Sequence, residues 1–171
     1  MHKTLRLLMT RECDRSCAGC CNKQWDLDYV PVCTSYKGYE NIIVTGGEPF
    51  LYPYNLLLLL GQIHRQNKKA NRIVYTANSL GVINNPAVVE RLHGLTLTLH
   101  EQSDVDGFID LDASRTFVQL SRGMSLRLNV FEGIQVPYED LVCYWNVKDE
   151  IQWLENCPLP EDEVFMKVKG V

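Results

Sequence analysis

Three cysteines near the amino terminus have a spacing that brings their thiolates to one small inorganic group. Cys13, Cys17 and Cys20 form a C-x3-C-x2-C pattern directly after the first predicted strand. Soft thiolates favour iron–sulfur clusters or zinc. Structural zinc usually takes four protein ligands, often as two separated pairs, and no second pair is obvious in this sequence. Three thiolates on a cubic four-iron cluster would leave one iron open for chemistry.

A glycine-rich segment, Gly46-Gly47-Glu48, follows the second predicted strand. Ligands in parallel α/β folds bind beyond the carboxyl ends of the strands, so this segment should share a pocket with the cysteines. Two glycines let the backbone approach a ligand closely. Glu48 adds a negative group suited to an ammonium or a hydroxyl. A Gly-Gly pair at a strand end is often only a tight turn, so the prediction depends on the combination with the cysteines.

The elements that must position these motifs alternate along the chain. Strands are predicted at residues 5–9, 41–45, 72–76, 95–99 and 126–130, with a weaker sixth at 141–145. Helices are predicted at residues 53–67, 85–92, 114–121 and 148–156. Such alternation indicates parallel βαβ units. We therefore predict an α/β fold with one domain over residues 1–171, as a partial or open barrel, because a closed eightfold barrel usually needs about 250 residues.

Composition excludes several classes of protein. The chain has 171 residues, of which 46% are hydrophobic and 22% charged, so it is neither disordered nor fibrous. Its formal net charge of −4 argues against a dedicated nucleic-acid binder. The longest apolar run, Leu56–Leu60, is far shorter than the roughly 20 residues of a membrane span. The amino terminus lacks the features of a signal peptide, so we expect a cytoplasmic protein, in which clustered thiols indicate metal or catalysis.

Taken together, the two motifs resemble the signature of the radical S-adenosylmethionine (SAM) enzyme superfamily, and the order of elements agrees over residues 5–131. The resemblance implies an open (β/α)6-type barrel of five to six parallel strands. It also implies a [4Fe–4S] cluster ligated by Cys13, Cys17 and Cys20. SAM would chelate the open iron, and Gly46, Gly47 and Glu48 would hold its methionine amino group. Reductive cleavage of SAM would then yield a 5′-deoxyadenosyl radical that abstracts a hydrogen atom.

The residues after the cysteine pattern narrow this resemblance. The stretch Cys17-Ala18-Gly19-Cys20-Cys21-Asn22-Lys23-Gln24-Trp25 is similar to the anaerobic ribonucleotide reductase activases, which have a Pro-Gly-Cys-Tyr-Asn-Lys run and a nearby Trp in the corresponding place. Cys21 stands where that run has Tyr. These activases are also short. The resemblance implies docking on a larger glycyl-radical enzyme, and an outside electron donor such as a flavodoxin or ferredoxin. Gly19 departs from the family, many of whose members have an aromatic residue there, packed near the adenine.

Several other residues are weaker candidates for the pocket because they lie at strand ends. Asn78, His100 and Asn129 could contact SAM, although each could instead be a solvated or capping residue. The spare cysteines could form a second metal site, but we expect buried, inert thiols at Cys21, Cys33, Cys143 and Cys157.

Two further functions stay open at this level. Residues 103–113 resemble nothing in the activases and could form a substrate loop, which would suit a radical SAM enzyme that modifies a small molecule, nucleotide or peptide. A cysteine-rich metal module serving structure or sensing, without catalysis, is the third possibility. It predicts that SAM is neither bound nor cleaved.

Overall fold

A computed structural model describes residues 3–154 and 157–171 of the chain. Seven strands are present in these ranges: β1 Thr4–Leu8, β2 Asn41–Thr45, β3 Asn71–Thr76, β4 Gly94–Leu99, β5 Ser125–Phe131, β6 Asn146–Ile151 and β7 Glu163–Lys167. They form one parallel sheet in the order β6-β5-β4-β3-β2-β1-β7. The sheet is not closed, and the predicted α/β class with parallel strands is confirmed.

Six α-helices lie in the described ranges: α1 Cys21–Gln24, α2 Pro53–Gln66, α3 Ser79–Asn84, α4 Pro86–Val89, α5 Asp104–Ala113 and α6 Arg115–Leu120. Helix α2 begins at a proline, whose missing N–H is not needed in the first turn. It buries four apolar side chains at helical spacing: Leu56, Leu59, Leu60 and Ile63. The side chain of Ser114 caps α6 by accepting a hydrogen bond from the Phe117 amide.

The two faces of the sheet differ because side chains alternate along each strand. Leu95, Leu97 and Leu99 of β4 are fully buried in the core with the apolar helix residues. Thr98, between two of these leucines, is in register with Asn129 of β5, which pairs in turn with Lys148 of β6. Right-handed crossovers between successive neighbouring strands put their helices on one face. The other face is left open for these polar side chains.

The first five predicted strands are confirmed, but the prediction for the sixth is wrong. Residues 141–145 do not join the sheet, because the Asp112 carboxylate of α5 accepts hydrogen bonds from the Val142 and Cys143 amides and from the Trp145 indole, at 2.5, 3.0 and 2.8 Å. The sixth strand is β6 instead, which contradicts the helix predicted over residues 148–156. Residues 155 and 156 of that predicted helix lie outside the described residues.

Several other helices and strands also differ from those predicted. Within residues 103–113, considered above as a substrate loop, Asp104–Ala113 form helix α5, which buries Val105, Phe108 and Leu111. The helix predicted over residues 85–92 is only the short α4, whereas α3 and β7 were not predicted. Strand β7 pairs with β1, which brings the count of strands to seven rather than five or six. Within the described ranges, no helix combines the length and apolar character that crossing a bilayer requires.

Candidate functional site

A cavity of about 370 Å³ lies over the open face of the sheet, at the carboxyl ends of its strands. Almost every residue that the sequence predicts for the site lines this cavity: Cys13, Cys17, Cys20, Gly46, Gly47, Glu48, His100 and Asn129. Strand residues add to the wall, among them Arg6, Tyr75 and Thr98. The tertiary structure therefore brings the cysteine pattern and the glycine segment to one place, as the topology of parallel strands requires.

The glycine segment packs directly on the first residues of the cysteine loop. The Gly47 amide donates to the Thr10 carbonyl at 2.7 Å, and the Glu48 amide donates to the Glu12 carbonyl at 2.8 Å. A Cβ atom at Gly47 would lie well under 3.0 Å from the Glu12 carbonyl oxygen. Gly46 has a φ of +151°, a conformation that favours glycine. The glycines thus allow the backbone to approach the cysteine loop as well as the cavity.

The three thiols line the same cavity and influence one another. Burial raises the pKa of Cys17, and the neighbouring Cys20 and Cys13 thiols raise it further. Among the described residues, no three His, Cys, Asp or Glu side chains converge tightly enough for a single metal ion. A four-iron cluster takes each thiolate on a different iron, so its ligands need only surround it. Soft thiolates of this kind are the donors that iron–sulfur clusters take.

A half-buried ion pair fixes the middle of the cysteine loop. Arg15 donates from both terminal nitrogens to the two carboxylate oxygens of Asp104, whose side chain is 8% exposed. Asp104 also accepts from the His100 and Glu101 amides at 2.8 and 3.1 Å. Burial alone would raise the pKa of Asp104, but these hydrogen bonds and the Arg15 charge hold it below its ordinary value. The pair ties the cysteine loop to the end of β4.

Asp104→Asn should lower the free energy of unfolding at pH 7 by about 2 kcal/mol, because it leaves the half-buried Arg15 charge without its partner. Urea denaturation measures this change. The lowered folded-state pKa means that the stabilisation is complete above the ordinary value of 3.8 and is lost as the pH falls through the folded-state value. Asp28→Asn is the matched control, since its ion pair with Arg11 is exposed and should matter little. Equal effects of the two substitutions would contradict the assigned role of Asp104.

Glu48 is the most enclosed polar side chain of the site, at 2% exposure. Its carboxylate accepts hydrogen bonds from the Phe50 amide at 3.0 Å, the Thr76 hydroxyl at 2.6 Å and the Ala77 amide at 3.0 Å. Burial raises its pKa, although these three hydrogen bonds act in the opposite direction. A carboxylate has about four acceptor positions, so about one is left for a ligand in the cavity.

His100 lines the cavity as a neutral imidazole enclosed by aromatic rings. Its ring stacks on Trp153 with centroids 5.3 Å apart, and Phe131 lies 5.0 Å away. Burial lowers the pKa of His100 to about 4, and the nearby Arg15 charge acts in the same direction. Its buried Nδ1 has no hydrogen-bond partner in the part of the chain that the structure describes. This atom is an acceptor or donor that only a rearrangement or a ligand would satisfy.

The remaining two candidates have different surroundings. Asn78 is the N-cap of α3, and its side-chain oxygen accepts from the Gly81 amide at 2.7 Å. It is not among the residues that line the cavity, so the capping role is the one observed. Asn129 does line the cavity, beside Thr98 and Lys148 in register on the neighbouring strands. Its position on the open face makes its amide available to a ligand.

A carboxyl-terminal segment that sequence reasoning missed closes one side of the cavity. We call residues 151–154 together with Cys157 the covering segment, since all of them line the cavity. The Trp25 indole donates to the Cys157 carbonyl at 2.9 Å. Gln24 donates to the Leu154 carbonyl and accepts from the Cys157 amide, both at 3.1 Å. The residues just after the cysteine pattern therefore hold this segment in place.

Two of the spare cysteines also join this segment to the cysteine loop. Cys21 and Cys157 form a disulfide, so the prediction of separate, inert thiols is wrong at these two positions. The physical reason is proximity, because the sequence separation of 136 residues is closed by the pairing of β7 with β1. Cys33 and Cys143 are half-buried free thiols whose pKa values are raised by burial, as expected for inert cysteines.

Trp153 of the covering segment places an aromatic ring beside Gly19, the residue before the third cysteine. A Cβ atom at Gly19 would lie 2.5 Å from Cε3 of Trp153, so the indole occupies the space of the missing side chain. Trp153 could not be identified from sequence, because the pattern predicted a helix there. The only available signal was the absence of an aromatic residue at Gly19.

Alkylation of the unfolded chain should label five thiols without prior reduction and all seven cysteines after reduction. The difference is the Cys21–Cys157 pair. Intact-mass spectrometry of protein purified without reductant and unfolded under acidic conditions measures both numbers. Cys157→Ser should yield six labelled thiols in both conditions, because it leaves Cys21 without a partner. Seven labelled thiols in the unreduced native sequence would contradict the disulfide.

Comparison of the sequence with protein-family models and with curated proteins finds no match.

Proposed function

We propose that this chain is a radical SAM enzyme, with a [4Fe–4S] cluster on Cys13, Cys17 and Cys20 and with SAM in the adjoining cavity. One observation carries the proposal: two motifs that are separate in sequence line a single cavity and are joined by backbone hydrogen bonds. The open parallel sheet, with this cavity at the carboxyl ends of its strands, is compatible with the (β/α)6-type barrel of that superfamily.

When bound, the cluster and SAM supply a 5′-deoxyadenosyl radical, the species that abstracts hydrogen. In this proposal, the side chains of the cavity bind SAM and orient it. Glu48 has about one acceptor position left for an ammonium group, and its other positions are fixed by Thr76 and two backbone amides. Asn129 offers an amide on the open face. Phe131 and Trp153 form an apolar wall that excludes water and other hydrogen donors from that side.

The substrate we propose is one backbone glycine of a larger glycyl-radical enzyme. This extension rests on the resemblance of the run after Cys20 to the activases. The structure gives that run a place beside the cavity, since it forms α1 and anchors the covering segment through Gln24 and Trp25. Cys33 and Cys143 are not among the residues lining the cavity, so we propose that a flavodoxin or ferredoxin supplies the electron.

The alternative, a radical SAM enzyme acting on a small molecule, nucleotide or peptide, loses part of its support. It relied on residues 103–113 as a substrate loop, and these residues form helix α5 with three buried apolar side chains. The third possibility, a non-catalytic metal module, differs from both radical SAM hypotheses because it predicts that SAM does not bind.

Anaerobic reconstitution with iron and sulfide, followed by dithionite and SAM, should yield 5′-deoxyadenosine. Omitting dithionite should abolish the product, since cleavage needs an electron. A fully loaded cluster that neither binds SAM in a titration nor cleaves it would contradict the proposal and favour the metal module.

If SAM binds without being cleaved, addition of a glycyl-radical enzyme should produce a glycyl radical signal by electron paramagnetic resonance. Absence of that signal with every such partner tested would contradict the activase assignment.

A further inference from the structure

A second cavity, of about 310 Å³, lies at the edge of the sheet opposite the cysteines. Its lining residues are Leu60, His64, Arg72, Glu90 and Arg91. Arg72 is the second residue of β3, and Arg91 precedes β4 by a short turn. These positions are at the amino ends of the strands, whereas the first cavity is at the carboxyl ends. The two cavities share no lining residue.

Arg72 is buried at 9% exposure, yet its guanidinium is only partly used by the protein. Its Nε donates to the Arg91 carbonyl at 2.9 Å, and Nη1 lies 3.3 Å from Nδ1 of His64. A guanidinium has five N–H donors, so several have no partner among the described residues. Nη2 has no partner among the described residues and is not fully enclosed, so it is available to the cavity that Arg72 lines.

The two arginines of this cavity outnumber its one carboxylate, that of Glu90. In residues 3–154 and 157–171, no carboxylate lies within 4.0 Å of the Arg72 or Arg91 guanidinium. Burial lowers the pKa of Arg72, and the positive charge of Arg91 lowers it further, so the two guanidinium groups are close enough to repel. Glu90 lines the cavity without forming an ion pair with either of them. A buried guanidinium without a counter-charge is costly, and an anion bound in the cavity would offset that cost.

We propose that this cavity binds the phosphate group of a small phosphorylated molecule, with Arg72 as its buried anchor and Arg91 as the second guanidinium. The planar fork of a guanidinium matches two phosphate oxygens at once. A volume near 310 Å³ is at the lower end of known ligand pockets, which suits a small metabolite. The site lies away from the cysteine loop. The proposal does not depend on the proposed radical chemistry.

Isothermal titration of the full chain with inorganic phosphate, at constant ionic strength and pH 7.5, tests the site. The native sequence should bind phosphate saturably. Arg91→Gln should weaken binding about tenfold, as expected for one lost charge-assisted hydrogen bond, without unfolding the chain because Arg91 is exposed. Arg122→Gln, an exposed arginine outside the cavity, should leave the affinity unchanged. Glu90→Gln should strengthen binding about threefold by removing a repulsive charge.

Arg72→Lys separates geometry from charge, because lysine retains the positive charge and loses the fork. It should weaken phosphate binding about tenfold or more, with its unfolding midpoint measured in parallel. Absence of saturable phosphate binding to the native chain would overturn the proposal. So would equal affinities of the native sequence, Arg91→Gln and Arg122→Gln, since binding would then be nonspecific. Once specific phosphate binding is found, titration with a phosphorylated sugar and with a nucleoside monophosphate identifies the group that carries the phosphate.

Discussion

Cys17→Ala should lose the iron–sulfur cluster and lower 5′-deoxyadenosine formation by about a hundredfold or more, because two thiolates cannot replace three at the cluster. Cys17 is the middle ligand of the proposed set and lines the cavity. Iron and sulfide content per chain, together with the anaerobic SAM cleavage assay, measure the effect. The substitution removes one half-buried sulfur, so the unfolding midpoint should change little.

Cys33→Ala is the matched control for this prediction. Cys33 is also a half-buried free thiol, its sulfur lies 3.4 Å from the Ser35 carbonyl, and it does not line the cavity. It should retain full iron content and full SAM cleavage. If Cys17→Ala and Cys33→Ala gave the same iron content and the same rate, the assignment of the cluster to the C-x3-C-x2-C pattern would be wrong.

Gly47→Ala should lower the free energy of unfolding by about 3 kcal/mol, because the added Cβ overlaps backbone atoms that cannot rotate away. The first atom it meets is the carbonyl oxygen of Glu12, well under 3.0 Å away. To relieve the overlap, the glycine segment and the cysteine loop must separate, which breaks the hydrogen bonds from Gly47 to Thr10 and from Glu48 to Glu12. We therefore expect SAM binding to be lost together with stability.

Gly61→Ala adds the same Cβ atom, but we expect it to change the free energy of unfolding in the opposite direction. Gly61 lies inside α2, and an added Cβ would meet nothing closer than the Arg65 side chain at 3.6 Å. Alanine in a helix interior should raise the free energy of unfolding by about 0.5–1 kcal/mol. Chemical denaturation of both variants measures the contrast. A Gly47→Ala protein as stable as Gly61→Ala would mean that the two loops do not pack as the structure has them.

Local patterns in the amino-acid sequence were enough to predict most of the sheet. Five β-branched or leucine-rich runs became β1 to β5, because a parallel strand buried in a sheet needs a continuous apolar stretch. The spacing of the cysteines, and the glycines at the end of β2, predicted a shared pocket because parallel strands end at one edge. These motifs do line one cavity. For this reason, both the α/β class and the residues of the candidate site could be predicted from the sequence.

Contacts between residues far apart in sequence could not be predicted from local patterns. Asp104 is 89 residues from the Arg15 that it binds, and Cys157 is 136 residues from Cys21. No local pattern records such pairs, because each partner alone is an ordinary helix-terminal or loop residue. The same applies to Trp153, whose indole lies in the space beside Gly19. Strand β6 was mispredicted for a related reason: Asp112 of α5 holds residues 142–145 off the sheet, an interaction that exists only once the helix has packed.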